Sequence, residues 1–352
     1  MPHSTVTFDQ TLFIGLDVGD RVTHLCVLNS ERSVVERKRL KTSREALLDE
    51  FTGRTSAKIV LEVGSQSRWM SSLLRDCGHD VLVADSRKVR QITKGGRKTD
   101  RRDAETLARL LQGMPELLGE VTHRGEAAQA HLALVRARDL LVRTRTALIQ
   151  HVRGTLKTIA IKVPSCGTGT FHRVAGEYVT EALKPALEPI LDTLAEIEWK
   201  IRAFDRQISE LARTTYPAAA RLMKIGSVGP LTSVAFVLTV DDPRRFRRSR
   251  AVGPWLGLVP RIEESGDQSP QLSISKTGDT YLRRILIQCA QHLLGPFGKD
   301  CALRRFGLRL CERGGKAARK RAATAVARKL AILMHRIWIS EEEYEPMRGI
   351  GA

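Results

Sequence analysis

The sequence predicts a mixed-sheet α/β domain at its N-terminal end and a helical remainder. Three observations carry that prediction. Short β-branched runs alternate with turn residues through residue 85, a heptad-spaced apolar seam crosses the middle, and the last third is helical and strongly basic.

Residues 11–18 (TLFIGLDV), 22–29 (VTHLCVLN) and 33–40 (SVVERKRL) read as three strands, because Gly, Asp and Asn separate the apolar runs. A polar helical stretch follows at 43–52. Next come an apolar strand at 57–62 (AKIVLE), a helix near 66–77 and a strand at 80–85 (DVLVAD). A further helix starts near Thr99 and runs to about Gln112. The order βββαβαβα implies hairpins at one edge of a mixed sheet with helices on its faces. It is the order of the ribonuclease-H-like fold. Between the last strand and the last helix, 87–98 (RKVRQITKGGRK) holds Arg87, Lys88, Arg90, Lys94, Arg97 and Lys98, with two glycines and no acid. This segment reads as a flexible basic loop suited to gripping phosphate beside an acidic site.

Residues 127–160 read as one long helix. Beyond them, Leu187, Ile190, Leu194, Ile197, Ile201, Phe204, Ile208 and Leu211 recur at alternating steps of three and four. That is a heptad seam, which buries one stripe against a partner helix. The partner is either 127–160 of the same chain or the same helix of a second subunit, and the spacing leaves both open. Pro185 and Pro189 suit the start of that helix. The chain therefore divides into an α/β domain at 1–120, a helical coiled-coil spacer at 121–216, a mainly α domain at 217–340 and a tail at 341–352 expected to fray.

The 352 residues suit two domains, and the formal net charge of +19 points to a polyanionic partner, nucleic acid first. The surplus concentrates in the C-terminal half. Residues 244–250 (RRFRRSR) supply Arg244, Arg245, Arg247 and Arg248, and 304–329 holds ten Lys and Arg against the single acid Glu312. A G-x-x-G turn in 225–230 (IGSVGP) resembles a helix-hairpin-helix, whose backbone amides meet phosphate. The six cysteines form no C-x-x-C pair, so a zinc site is not expected. No signal peptide opens the chain and no apolar run reaches the roughly 18 residues of a membrane span, so a cytoplasmic location is expected.

Two constellations carry chemistry. Asp17 lies near the end of the first strand and Glu62 ends the fourth, while Asp100 and Asp103, three apart at a helix start, share one face. In the fold proposed, the first and fourth strands are neighbours, so four carboxylates can converge. Such a group cannot stay ionised without cations. Mg²⁺ is the natural partner, and a pair of ions would suit phosphodiester cleavage. The second constellation is Ser265 in LGLVPRIEESG (256–266), with Arg261 nearby and Lys276, Arg283 and Arg284 following. A hydroxyl among cations can attack a phosphodiester. Ser227, Ser249, Ser269, Ser273 and Ser275 are rivals that the residues alone do not exclude.

Taken together these motifs resemble the IS110 family of insertion-sequence transposases, the bridge-RNA-guided DNA recombinases. FIGLDVG, VLEVGS and RKTDRRDAETLARLL resemble that family's RuvC-like DEDD tetrad. The run from IGSVGP through RRF, GLVPR and ESG to SISKTGDTYLRRILI resembles its C-terminal transposase domain. The resemblance implies that Asp17, Glu62, Asp100 and Asp103 bind Mg²⁺ and that Ser265 forms a phosphoserine link to DNA. It further implies a guide RNA that pairs with donor and target DNA, and homodimers that assemble into tetramers. Two departures stand out: Asp20-Arg21 follows the first Asp where a lysine is common, and GDQSPQ follows Ser265 in place of a glycine-rich run. The competing readings are a RuvC-type structure-specific endonuclease in which water attacks, and a non-catalytic nucleic-acid-binding module.

Overall fold

The computed structural model describes residues 11–93, 100–262, 272–312 and 314–348, the side chains of Thr93, Asp100 and Arg101 excepted. The chain forms two compact units, Met1–His123 and Arg124–Ala352.

The first unit is built on a five-stranded sheet of order β3-β2-β1-β4-β5. Strands β1 (Leu12–Val18), β2 (Val22–Leu28) and β3 (Val34–Lys41) form an antiparallel meander. Strands β4 (Ala57–Glu62) and β5 (Asp80–Ala84) run parallel to β1, with β4 directly beside it. The sheet is therefore mixed, as the strand order requires. Side-chain alternation divides it into two faces. Ile14, Leu16, Ile59 and Leu61 face α1 (Arg44–Phe51) and α2 (Ser67–Asp76), packing on Leu47, Phe51, Met70 and Leu74.

The opposite face receives α3 (Ser86–Thr93) and α4 (Asp100–Gly113), with Val60, Val89, Leu107, Leu110 and Leu111 in its core. The expected flexible loop at 87–98 is thus corrected over its first part, since Ser86–Thr93 is helix. Asp85 caps it, its carboxylate accepting from the Arg87 N–H at 2.8 Å, and Val89 anchors it at 3% exposure. Neither local signal stands out in a run so rich in cations. Lys94, Arg97 and Lys98 lie outside the described residues.

Helix α4 approaches β1 unusually closely. A Cβ placed on Gly15 would stand 2.0 Å from the Ala104 carbonyl oxygen and 2.6 Å from the Ala108 amide nitrogen. Only a hydrogen there lets helix backbone rest on strand backbone. Gly15→Ala is expected to lower stability by about 3 kcal/mol, the upper part of the usual overpacking range, because the obstruction is main chain and cannot rotate away. Gly154→Ala, on an exposed helical face with open space around it, is expected to stabilise by roughly 0.5–1 kcal/mol through helix propensity. Denaturant titration reads both, and equal effects would remove Gly15 as the contact that seats α4.

The second unit is helical. Helix α5 (Glu126–Thr158) and helix α7 (Lys184–Glu210) lie antiparallel, with α6 (Phe171–Gly176) between them in sequence. Arg138 meets Asp205 at 2.9 Å and Arg145 meets Glu198 at 2.5 Å, which sets the antiparallel register. The seam residues Leu187, Leu194, Ile197, Ile201 and Ile208 are buried. Within this chain the partner of the seam is therefore α5. Pro185 sits in the first turn of α7 and Pro189 just inside it. Replacing Ile201 by Asp is expected to cost on the order of 3–5 kcal/mol, since it removes a packed side chain and buries an unpaired charge. Thermal unfolding that leaves the variant within about 1 kcal/mol of the parent would mean that the seam contributes little.

Helices α8 (Pro217–Leu222), α9 (Pro230–Val240), α10 (Val252–Trp255), α11 (Thr280–Leu294), α12 (Ala302–Cys311) and α13 (Gly315–Ser340) share one core. Helix α9 is predominantly apolar and buried along Thr232–Val240, with Thr232, Ser233 and Thr239 as its buried hydroxyls. Among the described residues no helix is long and apolar enough to cross a membrane. All six cysteines are free thiols. The tail is the second correction. Residues 341–348 do not fray: Lys224 pairs with Glu343 at 2.5 Å, the Ala302 N–H donates to the Pro346 carbonyl at 2.8 Å, and Tyr344 packs on the core. One aromatic and a few pairings outweigh the polar composition that suggested fraying.

Candidate active site

The parallel register that sets Leu16 beside Leu61 carries Asp17 and Glu62 to neighbouring strand ends. Both share the parity of Gly15 and Val60, so both belong to the face that α4 covers. Asp103 lies one turn ahead of Leu107, on the stripe of α4 that meets the sheet. Asp17, Glu62 and Asp103 line one cleft of about 320 Å³. Asp100 opens the same helix, and its side chain lies outside the described ones.

Local bonding holds the cleft wall. The Val63 N–H donates to the Ala84 carbonyl at 2.8 Å, and Ser86 Oγ donates to the Val63 carbonyl at 2.9 Å, tying the end of β4 to the start of α3. Ser67 Oγ is held by both the amide and the carbonyl of Gly64, at 3.0 and 2.8 Å, closing the turn after Glu62. Arg90, exposed on α3, stands on the cleft lining and brings a cation to its mouth. Arg87 and Lys88 are exposed on the same helix, and the Lys88 side chain lies across Gly119.

Two nearby acids, Glu105 and Asp20, stand outside the cleft lining. Glu105, two residues beyond Asp103, is bound by Arg37 at 2.7 Å and by Arg109 at 2.8 Å. The Arg37 hydrogen bond, then the Arg109 one, holds its carboxyl below the usual range. Asp20 and Arg21 occupy the exposed β1–β2 turn and do not line the cleft. Ser65, Ser86 and Thr106 do line it and were not singled out from the sequence. Thr106, one turn from Asp103 on the same helical stripe, was the one within reach of spacing.

Among the described residues no three Asp, Glu, His or Cys side chains close into a ready metal cage. The cleft nonetheless offers three carboxylates with, among the described residues, no thiol or imidazole in its lining, an all-oxygen donor set of the kind Mg²⁺ takes.

In the second unit, Ser265 lies outside the described residues, as does all of 263–271. The segments on either side of it pair. The Arg261 N–H donates to the Ser273 carbonyl at 3.0 Å and the Ser275 N–H to the Val259 carbonyl at 2.8 Å. Two glycines make this possible: Gly257 has φ +68°, and a Cβ on Gly278 would stand 2.2 Å from the Trp255 carbonyl. Arg283 requires a correction. It is 7% exposed and donates to the Leu256 and Gly278 carbonyls at 3.0 and 3.1 Å, so it fastens this stem and is not a surface cation. Arg284 pairs with Asp139 and lies over the Tyr281 ring. Arg244, Arg245, Arg247, Arg248, Arg261 and Lys276 are exposed. Arg244 pairs with Asp242 at 3.1 Å, and Arg245 stacks on Trp255 with its guanidinium carbon 5.2 Å from the ring centre.

Comparison with known proteins gives the class. Residues 14–161 match a family profile of IS110-type DEDD transposases, and residues 219–301 match the family described as transposase IS116/IS110/IS902. The transposase for insertion sequence element IS1328 of Yersinia enterocolitica is 30% identical over 283 residues, covering 79% of this chain and 82% of that protein. A probable family 20 transposase of Pseudomonas aeruginosa is 29% identical over 284 residues, covering 79% and 82%. The transposase for insertion sequence element IS1111A of Coxiella burnetii is 27% identical over 342 residues, covering 94% and 90%. The chain is an insertion-sequence transposase. It belongs to the IS110 family.

Proposed function

We propose that this chain cuts and rejoins DNA through a RuvC-like domain in which Asp17, Glu62, Asp100 and Asp103 hold Mg²⁺ and through Ser265 as nucleophile. The observation that supports the reading best is the convergence of Asp17, Glu62 and Asp103 in one cleft. Bound there, Mg²⁺ would neutralise charge on the scissile phosphate and polarise its oxygens. The carboxylates would hold the metal, and Arg90 on the cleft lining offers a cationic contact to the phosphate. Ser265 Oγ attacks phosphorus and gives up its proton, the bond to one deoxyribose oxygen breaks, and that oxygen takes up a proton. The product is a phosphoserine ester that the hydroxyl of another strand reopens, which restores the serine. Arg261 and Lys276, on the paired stem flanking 263–271, would lie beside the phosphate.

The rest of the proposal is a guide RNA pairing with donor and target DNA, a homodimer assembling to a tetramer, and a cytoplasmic location. The test is to incubate the protein with the guide RNA encoded beside its gene, donor DNA, target DNA and Mg²⁺. A denaturation-resistant protein–DNA adduct with joined product is expected. Breaks without an adduct would favour water as nucleophile, and no metal-dependent breakage would overturn the reading.

A further inference from the structure

The stem at 258–260 and 272–274 borders a cleft of about 910 Å³ shared with α12 and α13. Five cations line it, Arg250, Lys320, Arg321, Arg328 and Lys329, and among the described residues no acid does. Among the described residues none of the five forms an ion pair. The floor is aliphatic, with Leu258, Ile274, Leu310 and Ile332. Lys329 Nζ lies over the Phe306 ring, 4.4 Å from its centre, so an aromatic ring joins the cationic wall. Burial first, and then Arg250 and Arg328, push the Lys329 ammonium below its ordinary range. A partly desolvated group of like charges is costly for the free protein, and an anion relieves that cost.

We propose that this cleft binds an unpaired polynucleotide strand. The proposal rests on the transposase reading and names a contact which that reading does not assign. Arg321, Ala325, Arg328 and Ile332 form one stripe of α13, spanning roughly 16 Å of helix. Its two cations, Arg321 and Arg328, stand roughly 10 Å apart along the axis, which suits successive phosphates better than a single one. A duplex keeps its bases stacked inside and would leave the aliphatic floor unfilled. An unpaired strand can set its phosphates on the cationic walls and turn a base onto the floor.

The test uses the full chain in EDTA and fluorescence anisotropy with labelled 20-mers of deoxythymidine, uridine and duplex DNA. The variant Arg250→Gln/Lys320→Gln/Arg321→Gln changes only exposed side chains. Its unpaired-strand affinity is expected to fall about tenfold or more, and the slope of log K against log salt to flatten by about 2, or about 0.7 per lost contact. Duplex affinity should change less than about twofold. Lys329→Gln alone should flatten the slope by about 0.7. The polymer that loses more, deoxythymidine or uridine, identifies the strand as DNA or RNA. Unchanged affinity and slope, equal loss on the duplex, or displacement by a polyglutamate peptide as effective as by an oligonucleotide would each overturn the cleft assignment alone. Wild-type protein that binds none of the three would overturn the proposed DNA-cutting and rejoining function as well.

Discussion

Ser265→Ala protein is expected to lose the denaturation-resistant DNA adduct and strand joining together while still binding nucleic acid. Removing an enzymic nucleophile costs roughly four or more orders of magnitude in rate, because no neighbouring group substitutes for a positioned oxygen. Affinity should hold within about twofold, since one hydroxyl contributes little beside many phosphate contacts. Ser269→Ala and Ser273→Ala should keep the adduct. The decisive measurement is the adduct on a denaturing gel across all three variants. An adduct that persists in Ser265→Ala moves the chemistry to another side chain. Activity that persists with no adduct points to water.

Asp103→Ala and Asp17→Ala should likewise abolish strand transfer while the protein stays folded. The electrostatics give a second readout. Several carboxylates facing one cleft repel each other without metal, so neutralising one should leave metal-free stability unchanged or raised. The parent should gain about 2.7 kcal/mol at a Mg²⁺ concentration 100 times its Kd, and the variants should lose that gain. Glu105→Gln is the control, because its carboxylate is engaged by Arg37 and Arg109. If Asp103→Ala keeps the metal-induced stabilisation, Asp103 is not a ligand, whatever its place in the cleft. If Glu105→Gln loses activity as fully, the effect belongs to α4 packing.

The strand assignments were legible because each strand carries its own signal. VLEVGS ends an apolar run at Glu62, and FIGLDVG does the same at Asp17. Strand order placed the two strands side by side, and period-two alternation put Asp17 and Glu62 on one face. The seam at 187–211 was equally plain as a stripe. Its partner was not, because heptad spacing describes one helix, whereas the ion pairs of Arg138 and Arg145 with Asp205 and Glu198 depend on where the chain turns back.

The misreadings share a cause. In 87–98 a helix was hidden because one buried valine and a capping aspartate are a small local signal among many cations. Charge alone places Arg283 among the surface cations, since it does not reveal two carbonyls waiting for a guanidinium. The tail looks frayed in sequence because Tyr344 finds its contacts far away along the chain.

By itself, then, the sequence determined what is local and periodic: the strands, most helices, the seam and the placing of Asp17 and Glu62 at strand ends. Those follow from side-chain alternation and turn chemistry, which act over a few residues. Only the tertiary structure decided how closely α4 lies on β1 over Gly15, which acids share the cleft, that α5 covers the seam, and that five cations of the second unit surround one cleft. Each of these depends on distances between residues far apart in the chain, set by packing and chain reversal, which no periodicity encodes.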